Sequence, residues 1–294
     1  MSLKGIGRKK SFKISNKLKL NIKINEKEFI EQITNIKEFE LYKIQIDELK
    51  KNIENFKKIF DQHSLNEINA IAYFDAQFPK KLLNISDPPM ILYYKGNIEK
   101  LNTLSSIAVI GARKPSLQSY AKTNDYSQII GENNIAIISG LAKGCDTAAH
   151  KGALEKNAFT VAVMPSSLDE ESVYPKENKD LFNKILENNN CVISEYCMGN
   201  IVQHYQFIER DRLQSGLSNS ILIVETTQKG GTMHTYKFAV EQSKLIGCCN
   251  INSDNDRFSG NIEIMKNPSV IKISNHDNLQ NFIKLSKEIE LTLL

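Results

Sequence analysis

From Ser106 onward the chain is punctuated by short, nearly continuous apolar runs: Ile107 to Ile110, Ile135 to Ile138, Val161 to Met164, Cys191 to Ile193 and Ile221 to Val224. The intervals between them have helical length, with Gly, Asn or Pro at their ends. A strand that is apolar at every position is covered on both faces, and alternation with helices makes such strands parallel. The pattern predicts a Rossmann-like, doubly wound α/β core with a mainly parallel sheet over about residues 104–250. Upstream, Phe29, Ile33, Ile36, Leu49, Ile53, Phe56 and Phe60 recur at steps of three and four with Lys and Glu between them. That is the period of one or two amphipathic helices, with a break near Phe39 to Ile46 where the spacing fails. Four segments are therefore expected: a basic flexible arm (1–25), a helical N-terminal region (26–66), the sheet domain (67–280) and a C-terminal tail (281–294).

Composition narrows the class. The 294 residues are 41% hydrophobic and 24% charged, as in an ordinary globular protein able to bury a core without staples. No run approaches the length that spans a bilayer, and no export signal is visible, so a cytoplasmic protein without membrane contact is expected. The five cysteines (Cys145, Cys191, Cys197, Cys248, Cys249) form no CxxC pair and read as thiols of a reducing compartment rather than a disulfide framework or zinc site. Charge is uneven. Residues 1–23 hold eight bases and no acid, which leaves 30 bases against 34 acids in the remainder. Such an arm suits attraction to phosphates and equally suits a solubilising tail.

The unusual residues stand at strand ends, where doubly wound sheets bind ligands. Ile110 is followed by Gly111-Ala112-Arg113-Lys114, Ile138 by Ser139-Gly140-Leu141-Ala142-Lys143-Gly144, and Val224 by Glu225-Thr226-Thr227-Gln228-Lys229-Gly230-Gly231-Thr232. Glycines let a backbone approach a ligand, and a following helix offers free N–H groups to an anion. Three such turns with adjacent bases have the character of phosphate cradles. Neither GxGxxG nor GxxxxGK[ST] is present, so a dinucleotide fingerprint and a Walker ATPase are disfavoured. Asp146 and His150, four apart, read as a helix-face hydrogen bond. Nothing assembles a catalytic set, and neither cofactor nor metal is expected.

The order of further motifs resembles the DNA-processing protein A (DprA/Smf) family over about residues 70–275. Asp75, Phe78-Pro79, Leu82-Leu83, Asp87-Pro88-Pro89, Leu92-Tyr93 and Gly96-Asn97 resemble its entry segment. Gly111–Arg113, Ser139–Gly144 with Asp146, Ala149-His150 and Gly152-Ala153-Leu154 follow. Then come Tyr174-Pro175, Glu177-Asn178, Ser194-Glu195-Tyr196, Gly216-Leu217-Ser218, the Gly231/Thr232 turn with Thr235, and Glu241-Gln242. The resemblance implies a homodimeric mediator of recombination that coats single-stranded DNA and hands it to the RecA recombinase, breaking no bond. Carried over by motif, Gly111, Arg113, Ser139, Gly140, Lys143 and Gly144 would hold phosphates, with Lys176, Arg210 and Arg212 near the same face and Gly230, Gly231 and Thr232 in the third loop. Tyr174 and Tyr196 could stack on bases or pack in the core.

The chain also departs from the family's pattern. Gln206 to Arg212 reads QFIERDR where the family usually has NFPRRNR, so that Glu209 and Asp211 bring acid beside the proposed phosphate track. Lys229-Gly230-Gly231-Thr232 replaces a Ser-Gly-Ser turn, and no winged-helix module is recognisable after residue 275. Two other classes stay open. Phosphoribohydrolases resembling the Lonely Guy proteins share Glu209-Arg210 and the Gly-Gly-Thr loop, but this chain has Thr235 where they carry a catalytic Glu. A nucleotide-sensing module would need the same phosphate loops and would saturate with a mononucleotide.

Overall fold

The structure is a computed structural model that describes residues 8–18, 25–41, 45–250 and 256–293. The chain divides into two compact units, 1–66 and 67–294. In the first, helices α1 (Arg8–Ser15), α2 (Glu26–Thr34), α3 (Lys37–Leu41) and α4 (Ile46–Leu65) gather buried Ile14, Ile33 and Leu49 into a small core. A reciprocal cap starts α2: Asn25 accepts from the Glu28 amide at 3.0 Å, and Glu28 accepts from the Asn25 amide at 3.2 Å. The expected break falls between α3 and α4. Within the described residues, 8–18 of the basic arm are held in structure. Its α1 buries Ile14, and Lys17 pairs with Glu38. Lys4, Lys19 and Lys23 lie outside the described residues.

The second unit is built on a nine-stranded sheet. Strands β1 (Asn69–Ala72), β2 (Ile91–Gly96), β3 (Ser106–Ile110), β4 (Ala136–Ser139), β5 (Thr160–Met164), β6 (Cys191–Ser194), β7 (Ser220–Ile223), β8 (Leu245–Cys249) and β9 (Ile271–Ile273) lie in the order β1-β2-β6-β5-β4-β3-β7-β8-β9. β1 and β2 are antiparallel to their neighbours, and the other pairs are parallel. All five apolar runs are central strands. Their alternate residues feed opposite faces. Ala108, Ile110, Ile221 and Ile223 pack on one side with Leu213, Leu217 and Ala239, whereas Ile107, Val109, Leu222 and Val224 pack on the other with Tyr126, Ala149 and Phe282.

Between the strands run α5 (Lys80–Leu83), α6 (Leu117–Glu132), α7 (Cys145–Glu155), α8 (Lys179–Glu187), α9 (His204–Leu217), α10 (Thr232–Glu241), α11 (Ser259–Ile264) and the closing α12 (His276–Leu293). Two expectations about extent need correction. The sheet continues past residue 250 into β9, and residues 281–293 are not a tail but the body of α12. Leu279, Phe282 and Ile283 of that helix are buried against the sheet, which supplies the hydrophobic reason for its order. Among the described residues no helix is long and apolar enough to cross a membrane.

From β3 the chain winds outward through β4 and β5 to β6, then returns along α9 to place β7 on the other side of β3. That reversal is a topological switch point. The segments leaving β3 and β7 part there, opening a crevice at the carboxyl ends of the strands.

Candidate functional site

A cavity of about 590 Å³ occupies this crevice, lined by Gly111 to Lys114 after β3, Glu225 to Thr227 and Lys229 to Thr232 after β7, one side of α9, and Arg257. Backbone and side-chain bonds stitch its walls together. The Ala112 amide donates to the Glu225 carbonyl at 2.7 Å, and the Cys145 amide to the Ala112 carbonyl at 3.1 Å. The Glu225 carboxylate is buried and accepts from both the amide and the hydroxyl of Ser116, each at 2.9 Å, which pins the start of α6 to the end of β7. Asn261 accepts from the Thr226 amide at 2.8 Å and donates to the carbonyls of Val224 and Cys249 at 3.0 and 3.1 Å. The third loop is thereby fixed to two strands. α10 starts beyond it at Gly231 without a side-chain cap, and a Cβ at Gly231 would meet nothing within 4 Å. The open helix start faces a ligand-sized space with its positive dipole end.

The rim is cationic. Arg113, Lys114, Lys229 and Arg257 all line the cavity. Arg113 stands over the Phe207 ring at 5.4 Å, and Tyr174 meets the same ring edge-on at 5.8 Å. Tyr174 is 53% exposed, so it belongs to the surface, whereas half-buried Tyr196 donates its hydroxyl to Glu209 at 2.6 Å.

The floor is a buried charge cluster. Arg210 Nη1 donates to the Val163 carbonyl at 2.8 Å, and its Nε lies 3.1 Å from Asp211 Oδ1. Asp146 Oδ2 accepts from the amides of Gly140 and Ala142 at 3.2 and 3.3 Å. With its amide turned as its neighbours require, Gln214 donates to Asp211 at 3.1 Å and accepts from the Gly140 amide at 2.7 Å. Burial pushes both carboxyls up, Asp211 to about 7, although the Arg210 guanidinium pulls each down. Arg210 packs against the backbone of Gly140, where a Cβ would lie 1.6 Å from Nη1. Glycine is required there by close approach.

Of the residues singled out in the sequence, Gly111, Arg113, Arg210, Gly230, Gly231 and Thr232 line the cavity. Gly140 and Lys143 line a smaller recess beside it, together with Arg113 and Arg210. The others stand apart. The Ser139 hydroxyl is buried and donates to the Val109 carbonyl at 2.7 Å, so it is a strand tie. Gly144 adopts φ +79° at the start of α7, with the Ala112 carbonyl 2.4 Å from where a Cβ would sit, and it shapes the turn without lining the cavity. Lys176 is exposed and lines neither space.

Arg212 is 4% exposed and holds Glu195, on another side of α9 from Arg210. Residues two positions apart on a helix, like Arg210 and Arg212, are separated by about 200°, and a sequence without a known helix phase cannot say which of the two faces the cavity. The same rotation takes Glu209 out of the cavity lining and leaves Asp211 in it. His150 bonds Thr160 through Nδ1 at 2.8 Å rather than Asp146, and burial pushes its pKa down to about 3. Phe207, Gln214 and Arg257 were missed as site residues. The first two follow once the phase of α9 is known, and Arg257 carries no sequence signal.

Fold and site together define an α/β protein with a cation-rimmed cavity at its switch point. The sequence pattern of the family described as DNA recombination-mediator protein A matches residues 69–283, and the chain belongs to that family. It is 38% identical over 164 residues to protein Smf of Borreliella burgdorferi, covering 56% of this chain and 51% of that one. It is 35% identical over 195 residues to DNA processing protein DprA of Streptococcus pneumoniae, covering 65% and 67%. The chain thus spans between about half and two thirds of these relatives' length. Among solved structures, DprA from Streptococcus pneumoniae superposes with a TM-score of 0.67 at 27% identity, covering 87% of this chain and 82% of that chain. DprA from Helicobacter pylori, solved for its single-stranded DNA binding mode, gives 0.66 at 27% identity, covering 76% and 96%.

Proposed function

We propose that this chain binds single-stranded DNA at the switch-point cavity and acts as a recombination mediator, passing the strand to the RecA recombinase. The observation that carries the reading is the ring of Arg113, Lys114, Lys229 and Arg257 around an open helix start, with Phe207 and Tyr174 beside it. Cations and backbone amides hold phosphates without reading sequence, and exposed aromatic faces accept any base. The single-stranded DNA binding mode reported for the Helicobacter pylori relative supports it. Arg113, Arg210, Gly111, Gly230, Gly231 and Thr232 form the proposed phosphate track, with Lys143 and Gly140 at its margin. The homodimer and the contact with RecA rest on family membership, and a cytoplasmic location rests on the sequence reading.

A binding role is favoured over phosphoribohydrolysis because Thr235, buried and lining the cavity, stands where that chemistry needs a glutamate. Fluorescence anisotropy with labelled oligo-dT across a salt series tests the proposal. Affinity should fall with salt at a slope near −0.7 per phosphate held. Arg113→Glu should weaken binding about tenfold or more without unfolding the protein. Unchanged affinity in that variant would remove the site assignment. Saturable AMP binding with no strand binding would make the cavity a nucleotide sensor.

A further inference from the structure

We infer that Asn178 is a positioning residue for strand binding, holding the loop after β4 in the shape that stations Lys143 at the margin of the cavity. This deepens the strand-binding reading above and rests on it. Asn178 is 6% exposed and immediately precedes α8, where an asparagine side chain ordinarily accepts from the first turn of the helix. Here it makes no such cap. Its amide nitrogen crosses to the loop, donating to the Leu141 carbonyl at 2.8 Å and the Ala142 carbonyl at 3.2 Å, with the Thr147 hydroxyl at 2.9 Å. Two carbonyls on one nitrogen settle which end of the amide faces the loop.

The loop needs holding. Leu141 is fully buried and adopts φ +56°, a left-handed conformation that a residue with a Cβ rarely takes unless its surroundings impose it. Three side chains fix the backbone around it. Asp146 accepts from the amides of Gly140 and Ala142, Asn178 takes the carbonyls of Leu141 and Ala142, and the Thr147 hydroxyl donates to the Ala142 carbonyl at 2.8 Å.

With the amides of Gly140 and Ala142 engaged by Asp146 and Leu141 buried, the loop meets a strand through the side chain of Lys143. Lys143 directly follows the residue whose carbonyl Asn178 and Thr147 hold, so its backbone is fixed with theirs. Tyr174 and Pro175, from the segment that carries Asn178, line the same recess as Lys143. Release of Asn178 lets the loop relax and Lys143 leave the margin. Glu177, one residue earlier, holds only the ammonium. The two neighbours therefore act with opposite sign: removing the Glu177 charge frees a cation for phosphate, and removing the Asn178 amide misplaces it.

The test is oligo-dT anisotropy across a salt series, together with melting curves, on Asn178→Ala, Lys143→Gln and the double variant. One phosphate contact, with a slope of about 0.7, is worth about fivefold in affinity near about 0.1 M salt. Each single variant should lose about that much and show the shallower slope, and the double variant should lose little more than Lys143→Gln alone. Asn178→Ala should also melt earlier, because two carbonyls lose their donor. A lower melting temperature with parental affinity and slope would reduce Asn178 to a structural tie and overturn the inference. So would an equal further loss in the Lys143→Gln background. Thr147→Val, which keeps the side chain's shape and removes one tie on the loop, decides the matter should Asn178→Ala not fold. It should weaken binding in the same direction, less strongly, and change nothing once Lys143→Gln is present; parental affinity in Thr147→Val would overturn the inference. A parent protein that binds no oligomer would instead overturn strand binding itself.

Discussion

Arg212 closes on Glu195 fork to fork, with Nη1 2.6 Å from Oε2 and Nη2 2.7 Å from Oε1, and both side chains are nearly buried. The same guanidinium donates through Nε to the Asp87 carbonyl at 3.0 Å. It thereby ties α9 to the end of β6 and to the segment before β2. Removing one partner of a buried pair strands the other charge, at a cost of roughly 3–5 kcal/mol. Arg212→Ala should therefore lower the denaturant midpoint strongly. In protein that remains folded, the affinity for oligo-dT should stay near that of the parent. A variant with parental stability and weakened strand binding would return Arg212 to the phosphate track.

Asp211 gives a pH-dependent prediction of the opposite sign. Its folded-state pKa, raised to about 7, lies above the ordinary Asp value, so the folded protein binds the proton more tightly than the unfolded chain. Ionised Asp211 therefore burdens the fold. The burden is full above about pH 7 and is relieved as pH falls toward about 4. Asp211→Asn should raise the melting temperature near pH 8, with a gain that shrinks near pH 5. Melting curves at the two pH values decide it, and an equal gain at both would show that Asp211 does not titrate in this range.

How much of this was legible in the sequence depended on whether a residue's position followed from local pattern. Val109, Ile138, Val163, Ile193 and Leu222 sit in runs that only covered strands tolerate, so the sheet centre and its strand-end loops could be read directly. The edges could not. β1 is the four residues Asn69–Ala72 and β9 the three residues Ile271–Ile273, too short for a period to register. Arg210, Asp211 and Arg212 were visible as charges, but their separation into cavity, cavity and ion pair depends on the phase of α9 against the sheet. Arg257 reaches the cavity across 143 residues to the Lys114 carbonyl, a long-range contact that no local signal announces.

His150 offers a direct check of the packing beneath α7. It is buried, its Nδ1 lies 2.8 Å from the Thr160 hydroxyl, and burial together with the Arg210 charge pushes its pKa down to about 3. The ring should stay neutral while an ordinary histidine titrates near 6.5. Because the unfolded chain takes up that proton first, His150 contributes stability above about pH 6.5 that declines as pH falls toward about 3. In imidazole NMR spectra its resonances should hold still from about pH 8 to pH 5. A His150 midpoint near 6.5 would mean that the helix opens to solvent.

Lys143 reaches the margin of the cavity, but its ammonium is 2.6 Å from Glu177 Oε1, and both side chains are more than half exposed. In such a setting the pair adds little to stability, because water screens it. It does, however, hold a cation that a phosphate could otherwise take. Glu177→Gln keeps the side chain's size and releases Lys143 to the strand. The variant should melt close to the parent, bind oligo-dT more tightly at low salt, and steepen the salt dependence by about 0.7. Lys143→Gln should do the reverse, and combining the two changes should add little to Lys143→Gln alone, since the carboxylate acts through the lysine. If Glu177→Gln tightened binding equally in the Lys143→Gln background, the effect would come from net charge rather than from this pair.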